Sequence, residues 1–409
     1  MSRFRRRLMG LAALRQAAAD DFVRVEFLEN ISTAYINSGI FGTMDLDFYI
    51  EFEPTQLYQN SGNGVGTIFG SRTGLNENVY QLTTFNKNAT NKGHFIAAKN
   101  YGYNDNRVPT ANMFLGGKNI IKKEGLIFTR ADGTTFNLTS QSFTTPKTIF
   151  IFGCSRSRFD IQEICKFKLY KLQFSKNGTL VRDFIPMYQI STDTYGLWDR
   201  VEEKFYTSPN GVKFSGGARV VADANDNLYY LKDYIKCNGT TNTFINLSKF
   251  TNLDNVEFEV YSNTAHDNFI GSRSGTPVRN HFQIAKWTNT RIDIAFGQQN
   301  PASITSKNTG NKKFKIKLWE RIIYLDNEKF YTCPNNTFTT NTVVSLGAVK
   351  GLSQPTSARF YWFKWWNKDK DLIYDMIPVQ RVSDGVWGMF CKVHLGFYPS
   401  NGSAQFTGA

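Results

Sequence analysis

The sequence predicts an all-β protein made of two tandem antiparallel β-sandwiches behind a short basic arm. Three observations carry that expectation. First, the stretch 170–217 recurs near the C-terminus at an offset of 192: Tyr170 maps to Trp362, Phe174 to Trp366, Leu180 to Leu372, Asp183 to Asp375 and Ile185-Pro186 to Ile377-Pro378. The same offset takes Gly196-Leu197-Trp198 to Gly388-Met389-Phe390, Phe205-Tyr206 to Phe397-Tyr398 and Phe214 to Phe406. An internal repeat fixes the domain count before anything else is decided. Second, Phe167, Leu169, Lys171 and Gln173 alternate with Lys168, Tyr170, Leu172 and Phe174, and the Asn177-Gly178 pair that follows is a strong hairpin signal. Third, glycine outnumbers proline 32 to 11, as many strands joined by tight turns require.

The chain then divides into an arm (1–21), a first sandwich (22–217), a linker (218–226) and a second sandwich (227–409). The arm holds Arg3, Arg5, Arg6, Arg7 and Arg15 against Asp20 and Asp21. Its apolar stretch, with Leu8, Leu11 and Leu14, and its alanines favour a helix on propensity. A secretory signal is the alternative for this segment, with a basic start, an apolar stretch and an alanine-rich end, but Arg15 cuts its apolar core to the minimum length. An anchoring role, with arginines pairing bidentately with carboxylates of a larger assembly, is the expectation for these eight residues.

In the first sandwich Phe48, Ile50 and Phe52 alternate with Asp47, Tyr49, Glu51 and Glu53, and Pro54 is expected to end that strand. Its acids read as a solvated strand face. Paired carboxylates on one strand are also how some sandwich hydrolases flank a glycosidic bond, but the Glu-x-Asp-x-x-Glu spacing is absent here and in the second copy, which offers only Glu257-Phe258-Glu259. The four histidines form no triad or metal-ligand spacing, so the sequence nominates no catalytic residue, metal or cofactor. Among the loops, Tyr101, Tyr103, Asn104 and Arg107 offer aromatic faces, an amide and a cation to a sugar, unless they form an ordinary exposed turn. Arg72 and Arg273, each following Gly-Ser, are candidates for an anionic ligand or for local pairing.

Hairpin strands follow: 180–185, stopped by Pro186, and in the second copy 360–366, whose aromatic residues point to a strand covered on both faces or to a sugar-stacking platform. The expected cores include Phe174, Leu180, Ile185 and Phe205, with Trp366, Leu372, Ile377 and Phe397 as their counterparts. Gly216-Gly217 and 222–226 read as the linker. The second copy holds most of the tryptophan, which argues that the copies diverged in surface role.

These residues resemble a known group. Lys168-Leu169-Tyr170-Lys171-Leu172, Asn177-Gly178-Thr179-Leu180-Val181-Arg182-Asp183-Phe184-Ile185-Pro186, Gly196-Leu197-Trp198-Asp199 and Lys204-Phe205-Tyr206 are similar to the C-terminal half of concanavalin A-like (laminin G-like) jelly-roll domains. Val25-Glu26-Phe27-Leu28-Glu29-Asn30 and Ile68-Phe69-Gly70-Ser71-Arg72 resemble their opening. The domains most like these sit in virion proteins of tailed phages of gut bacteria. The resemblance implies a structural component of capsid or tail, such as a fibre or decoration protein, that touches host-surface glycans.

Composition is compatible with that role. Aromatic residues make up 15% of the chain, enough to fill two cores, and no apolar run approaches the roughly 20 residues of a membrane span. A formal charge of +14 favours acidic partners, yet no clustered nucleic-acid module is present. Five cysteines without C-x-x-C spacing suit free thiols made in a reducing cytoplasm, with a Cys154 to Cys165 bridge as the alternative. The expected partners are other virion proteins held through the arm, further copies of the chain, and host glycans, in a particle assembled in the bacterial cytoplasm. The alternative is a secreted carbohydrate-binding or carbohydrate-active protein.

Overall fold

The computed structural model describes residues 21–56, 65–72, 77–85, 92–99, 108, 113–155, 163–239, 243–264, 266–273, 280–297, 302–305, 309–350 and 356–409. The regular elements among them are strands, and the chain divides into two compact units, 1–219 and 220–409. The candidate residues of the arm, Arg3 to Arg15, lie outside the described residues, as do Tyr101, Tyr103, Asn104 and Arg107.

In the first unit the large sheet runs Thr135–Asn137, Ile127–Thr129, Asn119–Glu124, Leu46–Gln56, Lys166–Lys176, Thr179–Gln189, Thr194–Asp199, Lys204–Tyr206. The smaller sheet runs Ile36–Thr43, Thr144–Ile151, Val65–Arg72, Val79–Phe85, Lys92–Ala98. Among the described residues, pairing between these strands is antiparallel except where Cys154–Ser155 joins Val65–Arg72, and an isolated parallel bridge links Thr67 to Ile164. The period-two pattern sets the faces: Leu46, Phe48, Ile50 and Phe52 point into the core, and Tyr49, Glu51 and Glu53 point away. The core is a lattice of rings, with Phe48 edge-on to Phe69 at 4.9 Å and Phe95 stacked on Phe128 at 5.1 Å. Each such ring contributes about 1.5–3 kcal/mol by burial.

The second unit repeats this order: Glu328–Thr332, Ile322–Leu325, Lys312–Trp319, Asn255–Ser262, Arg359–Trp366, Leu372–Arg381 form the large sheet, and Trp387–Cys391 and Gly396–Pro399 follow on. Its smaller sheet is built on Asp267–Ser272, Phe282–Thr288 and Arg291–Phe296. Gly196 and Gly388 mark the equivalence: a Cβ would lie 2.4 Å from the Tyr206 carbonyl oxygen in one and 2.5 Å from that of Tyr398 in the other.

The stretch read as a linker is different. Val220–Ala222 pairs with Leu228–Leu231, and the Asp223 carboxylate accepts the backbone N–H groups of Asn225 (2.8 Å) and Asn227 (3.0 Å). It is a tight hairpin of the second unit, and its Asn and Asp residues serve the turn.

The repeat is not gapless either. Leu172 lies opposite Phe184 and Phe363 opposite Met376, so the offset is 191 before the hairpin turn and 192 after it. The first turn uses Asn177 and Gly178 at φ of 52° and 75°. The connection from Trp365 to its partner Tyr374 is one residue longer than that from Phe174 to Arg182, and its turn is closed by bonds from Asn367 N–H to Asp371 O and from Lys370 N–H to Asn367 O. The buried counterpart of Phe174 is therefore Trp365, and Trp366 is half-exposed. The strand 359–366 is not covered on both faces, because Tyr361, Trp362 and Trp366 lie on its outer side.

Other members of the expected core also move. Leu180 is 39% exposed and Leu372 half-exposed beside the turns. Phe205 packs on Phe22 at 5.0 Å, while Ile377 and Phe397 pack in a satellite cluster with Tyr229, Val379 and Phe390. Alternation explains this: Phe184 and Met376 take the main core, so Ile185 and Ile377 must face the other way. All five cysteines are buried and none is in a disulfide, so no Cys154 to Cys165 bridge forms. Burial pushes the Cys165 thiol up to about 12, so it stays protonated.

Candidate functional site

The arginines proposed from sequence have local partners. Arg72 donates to Glu163 at 2.8 Å, and Glu163 also accepts the Thr67 hydroxyl at 2.9 Å. Arg273 donates to Gln283 at 3.3 Å. The acids of the first unit's central strand are engaged as well, not simply solvated. Glu51 meets Lys118 at 2.6 Å and the Tyr49 hydroxyl at 2.7 Å, and Glu53 meets the Tyr170 hydroxyl at 2.8 Å. Burial pulls the Glu51 pKa upward, but the bonds from Lys118 and Tyr49 outweigh it and the carboxyl ends below its usual value.

The outer face of the second unit's large sheet is where chemistry-bearing side chains gather. In Lys312–Trp319 the residues Phe314, Ile316 and Leu318 are buried, so Lys313, Lys315, Lys317 and Trp319 must project outward. Cross-strand register sets three rows. Lys317, Glu257 and Lys364 form one, Lys315, Glu259 and Trp362 the next, and Lys313, Tyr261 and Arg359 the third. At the sheet's end Trp319 and Trp366 meet edge to face at 5.4 Å.

Within this face the cations sit against rings. Lys313 lies 4.1 Å from the Tyr361 ring, Lys315 5.6 Å from Trp362, Lys317 4.9 Å from Trp319, and Arg359 4.9 Å from Tyr261. Carboxylates partner only part of the charge: Lys313 pairs with Glu259 at 2.9 Å and Lys315 with Glu257, while the Trp362 indole N–H donates to Glu259 at 3.1 Å. Lys317 and Lys364 meet no carboxylate among the described residues. Five cations therefore face two carboxylates on the three central strands, interleaved with half-exposed aromatic rings. Such a surface can take an anion on its ammonium groups and an apolar or sugar face on its rings.

On the three equivalent strands the same face of the first unit carries Tyr49 and Tyr170 but no tryptophan, its Ile120 is 48% exposed, and Trp198, on a strand further along the sheet, packs against Phe22 at 5.0 Å. The sequence signal for the second unit's face is the strict alternation in 313–319, where lysine stands at 313, 315 and 317 and tryptophan at 319.

No protein-family model matches the chain, and no curated protein matches it. Among solved structures it is similar to domains LG4-5 of the mouse laminin α1 chain, at 8% identity and a TM-score of 0.29, covering 87% of this chain and 90% of that one. It is also similar to Trypanosoma rangeli sialidase, at 9% identity and 0.26, covering 74% of this chain and 61% of that one. NanB with optactamide is a third, at 9% and 0.24, covering 88% and 74%. At these identities and TM-scores no functional residue or activity is carried over. The sheets themselves define the chain: two tandem antiparallel β-sandwiches of the jelly-roll kind.

Proposed function

We propose that this is a non-enzymatic adhesive structural protein of a phage virion, anchored by its arm and binding host-surface glycans through the outer face of the second unit. The observation that supports it best is the row of three lysines held against aromatic rings beside half-exposed tryptophans. The ammonium groups already lie over the rings. A neutral sugar would have to displace them, whereas an acidic sugar draws the ammonium to its own carboxylate or sulfate and lays its ring on the vacated aromatic face. The ligand class is therefore an acidic polysaccharide. A competing reading, a salt-bridged sheet face with no ligand, leaves Lys317 and Lys364 without a carboxylate among the described residues and the tryptophans half-exposed.

The test is binding of the full chain to immobilised hyaluronate, alginate, dextran sulfate and neutral dextran. Retention on the acidic polymers that weakens as salt rises and falls in Trp362→Ala/Trp366→Ala is the expected result, and retention on them that neither salt nor these substitutions reduce would refute it. The arm makes a separate prediction. Replacing Arg5, Arg6 and Arg7 with Glu should leave both sandwiches folded and reduce incorporation into particles as far as deletion of residues 1–21 does, since like charges replace Arg–carboxylate contacts. Gel densitometry of purified particles checks this, and normal occupancy in both variants would remove the anchoring role.

A further inference from the structure

Lys123 is fully buried in the first unit, and its ammonium is saturated by three acceptors: Met44 O at 2.8 Å, Leu46 O at 3.0 Å and the Asp47 carboxylate at 3.0 Å. Asp47 also accepts the Gly125 N–H at 2.8 Å through the same oxygen. The second unit shows that the fold does not need this pair. Lys123 lies opposite Phe48 as Leu318 lies opposite Val256, and the place of Asp47 is taken by Asn255. Asn255 accepts the Glu320 N–H at 2.7 Å, so the turn bond survives in neutral form. Lysine and aspartate have been exchanged together for leucine and asparagine. A buried ion pair is seldom more stabilising than an apolar pair of similar size, so stability does not account for its presence in one unit alone.

The location suggests what does. Asp47 lines an open cleft of about 720 Å³ at the crossover from Ile36–Thr43 to Leu46–Gln56, walled also by Asp45, Gln141, Ser142, Lys176 and Asn177. The second Asp47 oxygen takes no hydrogen bond from the described residues. Charge in the cleft is balanced, because Asp45 stands 3.7 Å from Lys176 and Asp47 is matched by Lys123. A balanced cleft whose polar groups are carboxylate, amide and hydroxyl, set beside the apolar Met44, Leu126 and Phe143, matches an uncharged ligand that has many hydroxyls and an apolar ring face.

We infer that this cleft binds a neutral saccharide, with Asp47 accepting a sugar hydroxyl and the buried Lys123 ammonium acting as a built-in cation that fixes Asp47, so that binding requires no metal ion. The site stands on observations independent of the second unit's face.

The experiment uses the full chain and neutral oligosaccharides of glucose, mannose, galactose and xylose, screened by saturation-transfer NMR and then titrated with and without EDTA. At least one should bind, with affinity unchanged by EDTA. The double variant Asp47→Asn/Lys123→Leu, which copies the second unit, should fold as stably as the parent and bind at least about tenfold more weakly, as loss of a charged hydrogen bond implies. Trp362→Ala should leave this binding untouched, which separates the site from the acidic-polysaccharide face. If the double variant does not fold, the rim variants Asp45→Asn and Gln141→Ala decide, and each should weaken binding. The inference is overturned if no neutral oligosaccharide binds, if EDTA abolishes binding, or if the folded double variant or both rim variants bind like the parent.

Discussion

The hairpin formed by Lys166–Lys176 and Thr179–Gln189 and its sister formed by Arg359–Trp366 and Leu372–Arg381 occupy the same place in their sheets, yet only their inner faces agree. Inward, Leu169, Leu172 and Phe174 become Phe360, Phe363 and Trp365, all buried. Outward, Lys171 becomes Trp362 and Ser175 becomes Trp366, and on the neighbouring strand Ile120 becomes Lys315 and Glu124 becomes Trp319. Inner exchanges stay apolar because close packing constrains them, and the larger Phe360 and Trp365 lie opposite Val260 and Val256 where Leu169 and Phe174 lie opposite Phe52 and Phe48. Outer exchanges are free of that constraint and carry the change of surface. One sandwich has acquired a cationic aromatic face while the other keeps a buried ion pair beneath a polar cleft.

The comparison rests on the register, and the largest effects test it. Trp365→Ala should cost about 4 kcal/mol in the second unit, since a fully buried indole is lost, while Trp366→Ala should cost under about 1 kcal/mol. Calorimetry of both variants checks this. A larger cost for Trp366 would restore the gapless offset of 192 and undo the assignment of faces.

Somewhat smaller effects are expected at the paired glycines. Gly196→Ala and Gly388→Ala each drive a methyl into a backbone carbonyl oxygen and should each cost about 2–3 kcal/mol. Chemical denaturation followed separately for each unit would show the two losses. A large loss at one and none at the other would break the equivalence of the units at that strand.

Much of this fold was legible because the repeat letters are ones that geometry demands. Gly196 and Gly388 recur because no side chain fits there, and Asn177-Gly178 announces a turn that needs two positive φ values. The one-residue insertion was hidden because 360–366 is aromatic almost throughout. A shift of one changes which ring is buried without changing the apparent similarity, although it moves every side chain to the other face. The linker reading failed because a hairpin turn and a flexible joint share Asn and Asp. The Lys123 to Asp47 pair was invisible for another reason: its partners are 76 residues apart, and nothing local marks a lysine that will be buried. The lysine alternation in 313–317 was present in the letters, but its meaning depended on the Tyr361 and Trp362 rings that another strand brings to it.

The most direct test of the central claim measures binding of the full chain to an acidic polysaccharide such as alginate by isothermal titration calorimetry, with matched variants on the two outer faces. Trp362→Ala/Trp366→Ala in the second unit should weaken binding at least about tenfold, consistent with aromatic anchors worth about 2 kcal/mol. Tyr49→Ala/Tyr170→Ala in the first unit should leave binding within about twofold of the parent, since exposed pairs there contribute little. Equal losses from both pairs, or no loss from the tryptophans, would contradict the assignment of adhesion to the second unit's face.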